Sequence, residues 1–513
     1  MVLYPMLPIR EILASPGAKG PVEGVAPTQH VHPASKEGGE NTIVVSTEAV
    51  ENQNITGYVE RVKERALDRG LDWLVRASGS EPVFLFIVVG LLVWAFLGIP
   101  YGTVTDWAVL ISDIQAIVSY IFDSFLMRQQ LNAYEASLRV CASLRSRNIS
   151  NRRMLRLVLG SGQYQRASSP DFEVPAHTQF AAKLPTENWV GRITNFASHF
   201  MGHIVTVGLY WACILIWLGF GHYCDWSDTW QLYINSATSA LMVLIFAFLA
   251  NIRERHNLYI KKCVQCLFEV DSAIELKLRI MTGDDIPNEP VVIPAPMMSR
   301  IQRAIFYYAD LVGTLTGIAI LIIVMVVWVA IGPAMHFNAN WWLLIGTYAG
   351  LVGLNDGFVL RNVQSKFNEY EDDAFEQANL SDKAIFEDIS IPDPAKEHVQ
   401  DKTLSYRLSM AMGVICAHEI TVILGVVLII GLLVGASAMQ WTITGQLLCN
   451  IPPSIIESFF MMILITGHNL AESRKRVDLH NMYLRRLKLL TYVDGLEPSE
   501  KAPRRDQPDE TAL

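Results

Sequence analysis

Asp123, Asp356 and Glu457 each sit inside a run of residues apolar enough to cross a lipid bilayer. An Asp near the middle of a spanning helix costs about 2.5–3.5 kcal/mol on insertion scales, so such residues are expected to face protein or water and to have a use. Asp113, Asp310, His418 and Glu419 lie nearer the ends of similar runs, His468 just beyond one, and Met242 and Met461 add thioethers inside two of them. Carboxylate and imidazole suit several divalent first-row metals in turn, so a set of this kind holds such ions while selecting poorly among them. Ligands placed in series also let an ion leave each position as well as enter it. Other chemistry finds little support. "HEITV" at His418 has Val422 where a zinc-protease helix needs its second His,. No Gly-rich phosphate loop with Lys and no Ser-centred elbow occurs, which argues against an enzyme or a primary pump. His203 and His468 also suit interhelical hydrogen bonding.

These residues need elements to hold them. The chain has 513 residues, 51% of them hydrophobic, a mean hydropathy of +0.27, and apolar runs near the ~20 residues that span a bilayer. All 41 Lys and Arg lie outside the windows 77–127, 193–252, 304–360 and 408–473, each long enough for two spans and a short turn. The expected fold is therefore an all-α integral membrane protein. Its eight spans fall near 82–99, 108–127, 203–220, 231–250, 312–332, 342–360, 413–436 and 447–466. The turns lack Lys and Arg while "RVKERALDRGLDWLVR", "RSRNISNRRMLR", "NIRERHNLYIKK" and "ESRKRVDLHNMYLRRLK" flank the windows, which places both termini and the long connections in the cytosol,. The organisation then reads as a disordered N-terminal arm (1–60), two-span repeats at 61–132, 192–257, 300–368 and 407–470, connections at 133–191, 258–299 and 369–406, and a C-terminal helix and tail (471–513). The net charge of −9 comes from acidic connections and the tail, with no nucleic-acid signal,. Seven scattered Cys give no disulfide framework, and "CVQC" (Cys263 to Cys266) reads as packing,.

The windows repeat one another. Second helices align on "WAVLIS", "WQLYIN", "WLLIG" and "QLLCN", which sets Ser112, Asn235, Gly346 and Asn450 as a common zero. Offsets 0, +3, +7 and +11 share one helical face. That face reads Ser112, Gln115, Ser119, Asp123; Asn235, Thr238, Met242, Phe246; Gly346, Ala349, Gly353, Gly357; and Asn450, Pro453, Glu457, Met461. Asn355 and Asp356 stand beside the third stripe, whose small residues would let neighbouring backbones approach closely. At +18 come Gln130, Arg253, Gln364 and His468. Four such faces around a pseudo-fourfold axis would line one polar path. Trp107, Trp230, Trp342 and Trp441 are expected as interface anchors.

"DWSDTWQLYINSATSALMVLIFAFLANIRERHN", preceded by "RITNFASHFMGHIVTVGLYWACILIWLGF", resembles the two-span unit of the low-affinity iron permease family. "ISDIQAIVSYIFDSFLMRQQLN" and "GLVGLNDGFVLRNVQSKFNEYEDDAFEQ" resemble the long fungal members, plasma-membrane transporters in which several units are joined. The likeness covers roughly 60–495; it departs at Gly346, where the second unit has Asn235, and at Pro452-Pro453. It implies low-affinity Fe(II) uptake. From the ligand types, Zn(II), Mn(II) and copper are expected to compete, no permanently bound cofactor is expected, and the exclusion of strongly hydrated Fe(III) makes a surface ferric reductase an expected functional partner. The residues alone imply only a polar path through a lipid bilayer; the alternatives are a non-metal cation channel, which would lack saturation at micromolar metal, and a membrane scaffold, which would not need acidic residues on the inner face.

Overall fold

The computed structural model describes residues 19–31, 54–102, 105–162, 164–166, 189–394 and 404–498. Within them the helices are α1 (Ala66–Ser78), α2 (Glu81–Tyr101), α3 (Thr105–Ser161), α4 (Trp189–Met201), α5 (Ile204–Phe220), α6 (Asp228–Thr282), α7 (Arg300–Val312), α8 (Leu315–Ile331), α9 (Ala339–Asp388), α10 (Leu404–Ala417), α11 (Glu419–Ala438), α12 (Ile443–Leu448) and α13 (Ile451–Asp494). Seven described helices are long and apolar enough to cross a membrane, and the pair α7 and α8, bent by 64°, makes an eighth if taken as one span. The expected spans therefore fall on observed helices. The chain is an all-α membrane protein.

Burial divides these helices into two classes. In α2, α5 and α11 only 6–22% of the apolar stretch is buried, whereas in α3, α6, α9 and α13 the share is 61–78%. A helix that is apolar all round and still exposed must face lipid. The four inner helices instead surround an axis: α3 packs on α6, α6 on α13, α13 on α9 and α9 on α3. Three of them are 57, 55 and 50 residues long and α13 is 44. At 1.5 Å per residue each far exceeds the ~30 Å hydrocarbon layer, so each continues into a stem beyond it. The sequence reading puts connections there. Their charged residues mask a second amphipathic pattern, in which Tyr134, Leu138, Cys141 and Leu144 all lie buried.

Each outer helix is entered through an elbow. A short helix (α1, α4, α7 or α10) runs up to one extended residue, Ser80, His203, Thr314 or His418, and the outer helix starts after it. In two elbows the imidazole caps the new helix: His203 Nδ1 accepts from Val205 N at 3.3 Å and His418 Nδ1 from Ile420 N at 3.2 Å. Each elbow carbonyl is held by an inner helix. Arg128 Nη1 donates to Gly313 O (3.5 Å), Asn251 Nδ2 to Gly79 O (3.0 Å), Asn362 Nδ2 to Ala417 O (2.7 Å) and Thr466 Oγ1 to Gly202 O (2.7 Å). Counted from Ser112, Asn235, Gly346 and Asn450, all four donors stand at +16. Each reaches the elbow of a neighbouring unit, so the bonds pass cyclically around the bundle.

Stacked tryptophans close the opposite ends. Trp94 lies 4.5 Å from Trp107, Trp217 3.9 Å from Trp230 and Trp328 4.3 Å from Trp341, tying each outer helix to the following inner one. In the first and third pairs each indole N–H donates to the partner's carbonyl. The third pair uses Trp341, at the same −5 offset as Trp107 and Trp230. Trp342 and Trp441, expected as interface anchors, are exposed.

The stem is a packed four-helix bundle. Asn148, Asp271, Asp382 and Arg486, all at +36, form one buried layer in which Arg486 pairs with Asp271 and Asp382, both at 2.8 Å. Arg147, Glu275 and Arg279 extend it, giving three buried guanidinium groups and three buried carboxylates. Part of the expected disordered arm is ordered here: β1 (Val22–Gly24) pairs antiparallel with β3 (Val291–Ile293), and Gln29 N donates to Glu275. Residues 1–18 and 32–53 of that arm, and the tail beyond 498, lie outside the described residues. A second short pair joins β2 (Tyr164–Arg166) to β4 (Leu496–Pro498).

Candidate functional site

The inner helices meet in register. Gly346 on α9 lies so close to α13 that an added Cβ would stand 2.7 Å from Asn450 Nδ2, and one on Gly353 would meet the Glu457 carboxylate at 2.6–2.8 Å. A Cβ added to Gly357 would stand 3.4 Å from Phe460 Cβ. Gly346, Gly353 and Gly357 thus leave room on α9 for the Asn450, Glu457 and Phe460 side chains of α13. Ser239 Oγ donates to Gln115 Oε1 (3.4 Å) between α6 and α3, and Ser458 Oγ lies 3.8 Å from Met242 Sδ between α13 and α6. Residues at equal or adjacent offsets are therefore at one level.

From the tryptophan end the first layer is Ser112, Asn235 and Asn450, each at most 2% exposed. Both polar atoms of Asn235 and the Nδ2 of Asn450 have no hydrogen-bond partner. Next come Gln115, Thr238 and Ser119, also buried; Gln115 Nε2 donates to Ser119 Oγ (3.1 Å) and Thr238 Oγ1 to Ile234 O (2.9 Å). Glu457 follows at +7 with Met242, then Asp356 and Asp123 at +10 and +11 with Met461. Glu457, Asp123, Met242 and Met461 are 0% exposed and Asp356 is 1% exposed. The three carboxylates come from α13, α9 and α3 and lie within range of one another's charge.

Their environments differ in one respect. Asp356 Oδ1 accepts from Tyr308 OH at 2.7 Å, while both oxygens of Asp123 and both of Glu457 are buried without a hydrogen-bond partner. Buried polar groups are almost always paired with protein, water or an ion, and an uncompensated buried charge is strongly destabilising. Asp123 and Glu457 thus leave four buried carboxylate oxygens without a protein partner, on two successive turns of the axial face. Among the described residues no three His, Cys, Asp or Glu side chains form a closed metal-holding cluster. The acids are instead spread over +7 to +11, about 6 Å of helix rise, in series along the axis.

Other candidates lie elsewhere. Asp113, at +1, is buried but off this face. Asn355 is half-buried beside Asp356. Asp310 accepts from Lys19 Nζ at 2.6 Å, Glu419 from Ser299 Oγ at 2.8 Å, and His418 caps α11. His468, at +18, faces His256, with Nε2 3.1 Å from His256 Nδ1. The structure adds Tyr308, Ser239, Ser454 and Ser458. The serines were legible at +4 and +8, which flank the chosen face; the Tyr308 bond joins residues 48 positions apart and left no sequence signal.

Lipid-exposed outer helices around inner helices that bury polar side chains define a multi-span all-α membrane protein. A family profile described as low affinity iron permease matches residues 190–282 and 405–495. The chain is 37% identical to the low-affinity iron/zinc ion transport protein fet4 of Schizosaccharomyces pombe, over 94% of this chain and 85% of that protein. It is 32% identical to the low-affinity Fe(2+) transport protein of Saccharomyces cerevisiae, over 96% of this chain and 98% of that one. The chain belongs to the low-affinity iron permease family and is a transporter, not an enzyme. No solved structure matches it.

Proposed function

We propose that the protein carries divalent transition-metal ions, chiefly Fe(II), across the plasma membrane with low affinity and low selectivity, along the axis of the four inner helices. The observation that carries this reading is the set of unpaired, fully buried oxygens of Asp123 and Glu457, beside the unpaired amides of Asn235 and Asn450. The named cargo of the two relatives, iron and zinc for one and Fe(2+) for the other, supports the choice of metal. Asp123, Asp356 and Glu457 bind the ion in turn, and Ser112, Gln115, Ser119, Thr238, Met242 and Met461 line the approach. Asp113, Asp310, His418, Glu419 and Asn355 stand outside the axial series and serve as secondary positions for the ion or as structural polar groups. Carboxylates in series, with no closed cage, match low affinity.

In this reading the four two-span units are repeats around a pseudo-fourfold axis. The cyclic +16 bonds and the equal levels of equal offsets support it. The Lys- and Arg-rich stem and both termini are cytosolic, as the positive-inside rule requires. An inside-negative potential then contributes about 4.6 kcal/mol per divalent ion at 100 mV. Fe(III), strongly hydrated and hydrolysed, does not shed its ligands into such a path, so a surface ferric reductase supplies the cargo. The test is radio-iron uptake into cells lacking their own transporters, with a large excess of each competitor. Saturable uptake reduced by Zn(II), Mn(II) and copper but little by Mg(II) is expected; non-saturable flux would indicate a general cation channel.

A further inference from the structure

Below the carboxylates the axial face changes character at a single level. Leu126, Leu249, Leu360 and Leu464 all stand at +14 and are 2%, 0%, 0% and 1% exposed, within one hydrophobic cluster. Met127 and Ile465, at +15, are also 0% exposed. Arg361, the charged residue at that offset, turns aside to Gly413 O (2.9 Å) and to Gln364 Oε1 (2.8 Å). The next axial layer, +18, is polar again, and there both polar atoms of Gln130 and the Nε of Arg253 lack a partner. Unpaired polar atoms thus flank the leucine level on both sides, and among the described residues none occurs within it.

Leucines at such positions fill the core of any helical bundle. Two features separate this layer from ordinary core. All four helices supply the same residue there, although the axial layers around it are chemically mixed. In the stem, moreover, the buried acids Asp271 and Asp382 each keep an ion-pair partner in Arg486, although one oxygen of each has no hydrogen-bond partner. Asp123, Glu457 and Gln130, on either side of the leucines, have no hydrogen-bond partner on any side-chain oxygen or nitrogen, which leaves them for water or an ion. From +11 to +18 is about 10 Å of helix rise, and an ion crossing it finds no ligand at the leucine level. Hydrophobic constrictions of this kind block conduction by excluding water.

Building on the axial path proposed above, we propose that Leu126, Leu249, Leu360 and Leu464 form the permeability barrier of the transporter. The ring rejects hydrated cations and admits the cargo only when the inner helices separate around it. It thereby determines which ions leak, a role distinct from the binding role of the carboxylates. Past the ring the axis is filled: Tyr134 stacks on Phe367 at 4.2 Å, and Lys475 binds Glu371 at 2.6 Å and Ser137 at 3.0 Å. An ion that passes the ring therefore leaves sideways near +18, between the membrane bundle and the stem.

The experiment is uptake of radio-iron and of Mg(II) in cells without their own transporters, by Leu249→Ser and by Leu360→Ser, at matched surface protein. Leu249→Thr and Leu360→Thr replace them if the serine variants reach the surface poorly. A polar residue in the ring should raise iron flux about threefold or more and give Mg(II) entry that the unaltered protein does not. Unchanged or reduced flux of both ions at normal surface protein overturns the barrier. Each substitution is repeated with Glu457→Gln. Loss of iron uptake on Glu457→Gln alone, with no gain from the leucine variants, sinks the barrier and leaves the path. No effect of Glu457→Gln in either background sinks the path itself.

Discussion

Gly353→Ala separates transport from stability. Gly353 lies inside α9, where replacing Gly by Ala favours the helix by about 0.8–1 kcal/mol. The new methyl would stand 2.6 Å from Glu457 Oε2, 2.7 Å from Oε1 and 2.8 Å from Cδ. Ordinary van der Waals contact begins near 3.4 Å, so the carboxylate has to retreat by roughly 0.8 Å, about four times the ~0.2 Å tolerance of a metal–ligand distance. The far end of a Glu side chain can rotate, so folding survives while the ligand is misplaced. Displacing a ligand through its neighbours typically costs about 10–100-fold in metal affinity. The assay is concentration-dependent radio-iron uptake, with surface protein and thermal midpoint measured on the same cells and extracts. Gly357→Ala is the control, because its methyl would meet Phe460 Cβ at 3.4 Å. The expected result is a half-saturation concentration raised at least about tenfold in Gly353→Ala, a thermal midpoint not lowered, and near-normal uptake in Gly357→Ala. An unaltered uptake curve in Gly353→Ala would show that the Glu457 carboxylate does not bind the ion.

Other expectations concern the scaffold. Arg486→Ala leaves Asp271 and Asp382 buried without their shared partner, so the detergent-solubilised protein should lose about 3–5 kcal/mol of stability, read as a lower thermal midpoint. Asn362→Ala removes the donor to Ala417 O and the acceptor for Gln302 Nε2, both at 2.7 Å; about 1–3 kcal/mol should be lost, and limited proteolysis should find the α10–α11 elbow opened. Burial, with Asp372 and Glu376 nearby, pushes the stem carboxyl Asp478 up to about 6. Its neutral form is favoured in the fold, so the stability it contributes is complete below about pH 4 and is lost as pH rises through about 6. Asp478→Asn should accordingly raise the thermal midpoint at pH 7.5 and leave it nearly unchanged at pH 4; an equal shift at both would refute the assignment.

The membrane architecture was legible because hydrocarbon tolerates few charges. The four windows free of Lys and Arg hold the apolar stretches of the seven described helices long enough to cross a membrane and of the bent pair, and the alignment of the windows picked out buried polar residues on the inner helices. The third repeat shows the limit of that alignment, since Trp342 and Trp341 both fit the string and only the stacked partner Trp328 tells them apart. The elbow donors went unseen because Arg128, Asn251, Asn362 and Thr466 are three chemical types doing one job, so no motif marks them. The stem was hidden by its own charges. A buried Arg147 or Asp271 looks in sequence like any solvated residue, and only pairing across helices reveals the difference. Among the acids, sequence could rank Asp123, Asp356 and Glu457 by depth, but not show that Asp356 is already held by Tyr308 while the other two are unpaired.

That asymmetry gives the most direct test of the axial path. Asp123→Asn and Glu457→Gln keep shape and burial and remove only the charge and the ligand strength of the oxygens. Fe(II) uptake, measured against concentration at matched surface protein, should fall about tenfold or more at subsaturating iron in each variant, and further when the two are combined. Uptake curves for both variants that coincide with that of the unaltered protein would place the ion's route away from this axis.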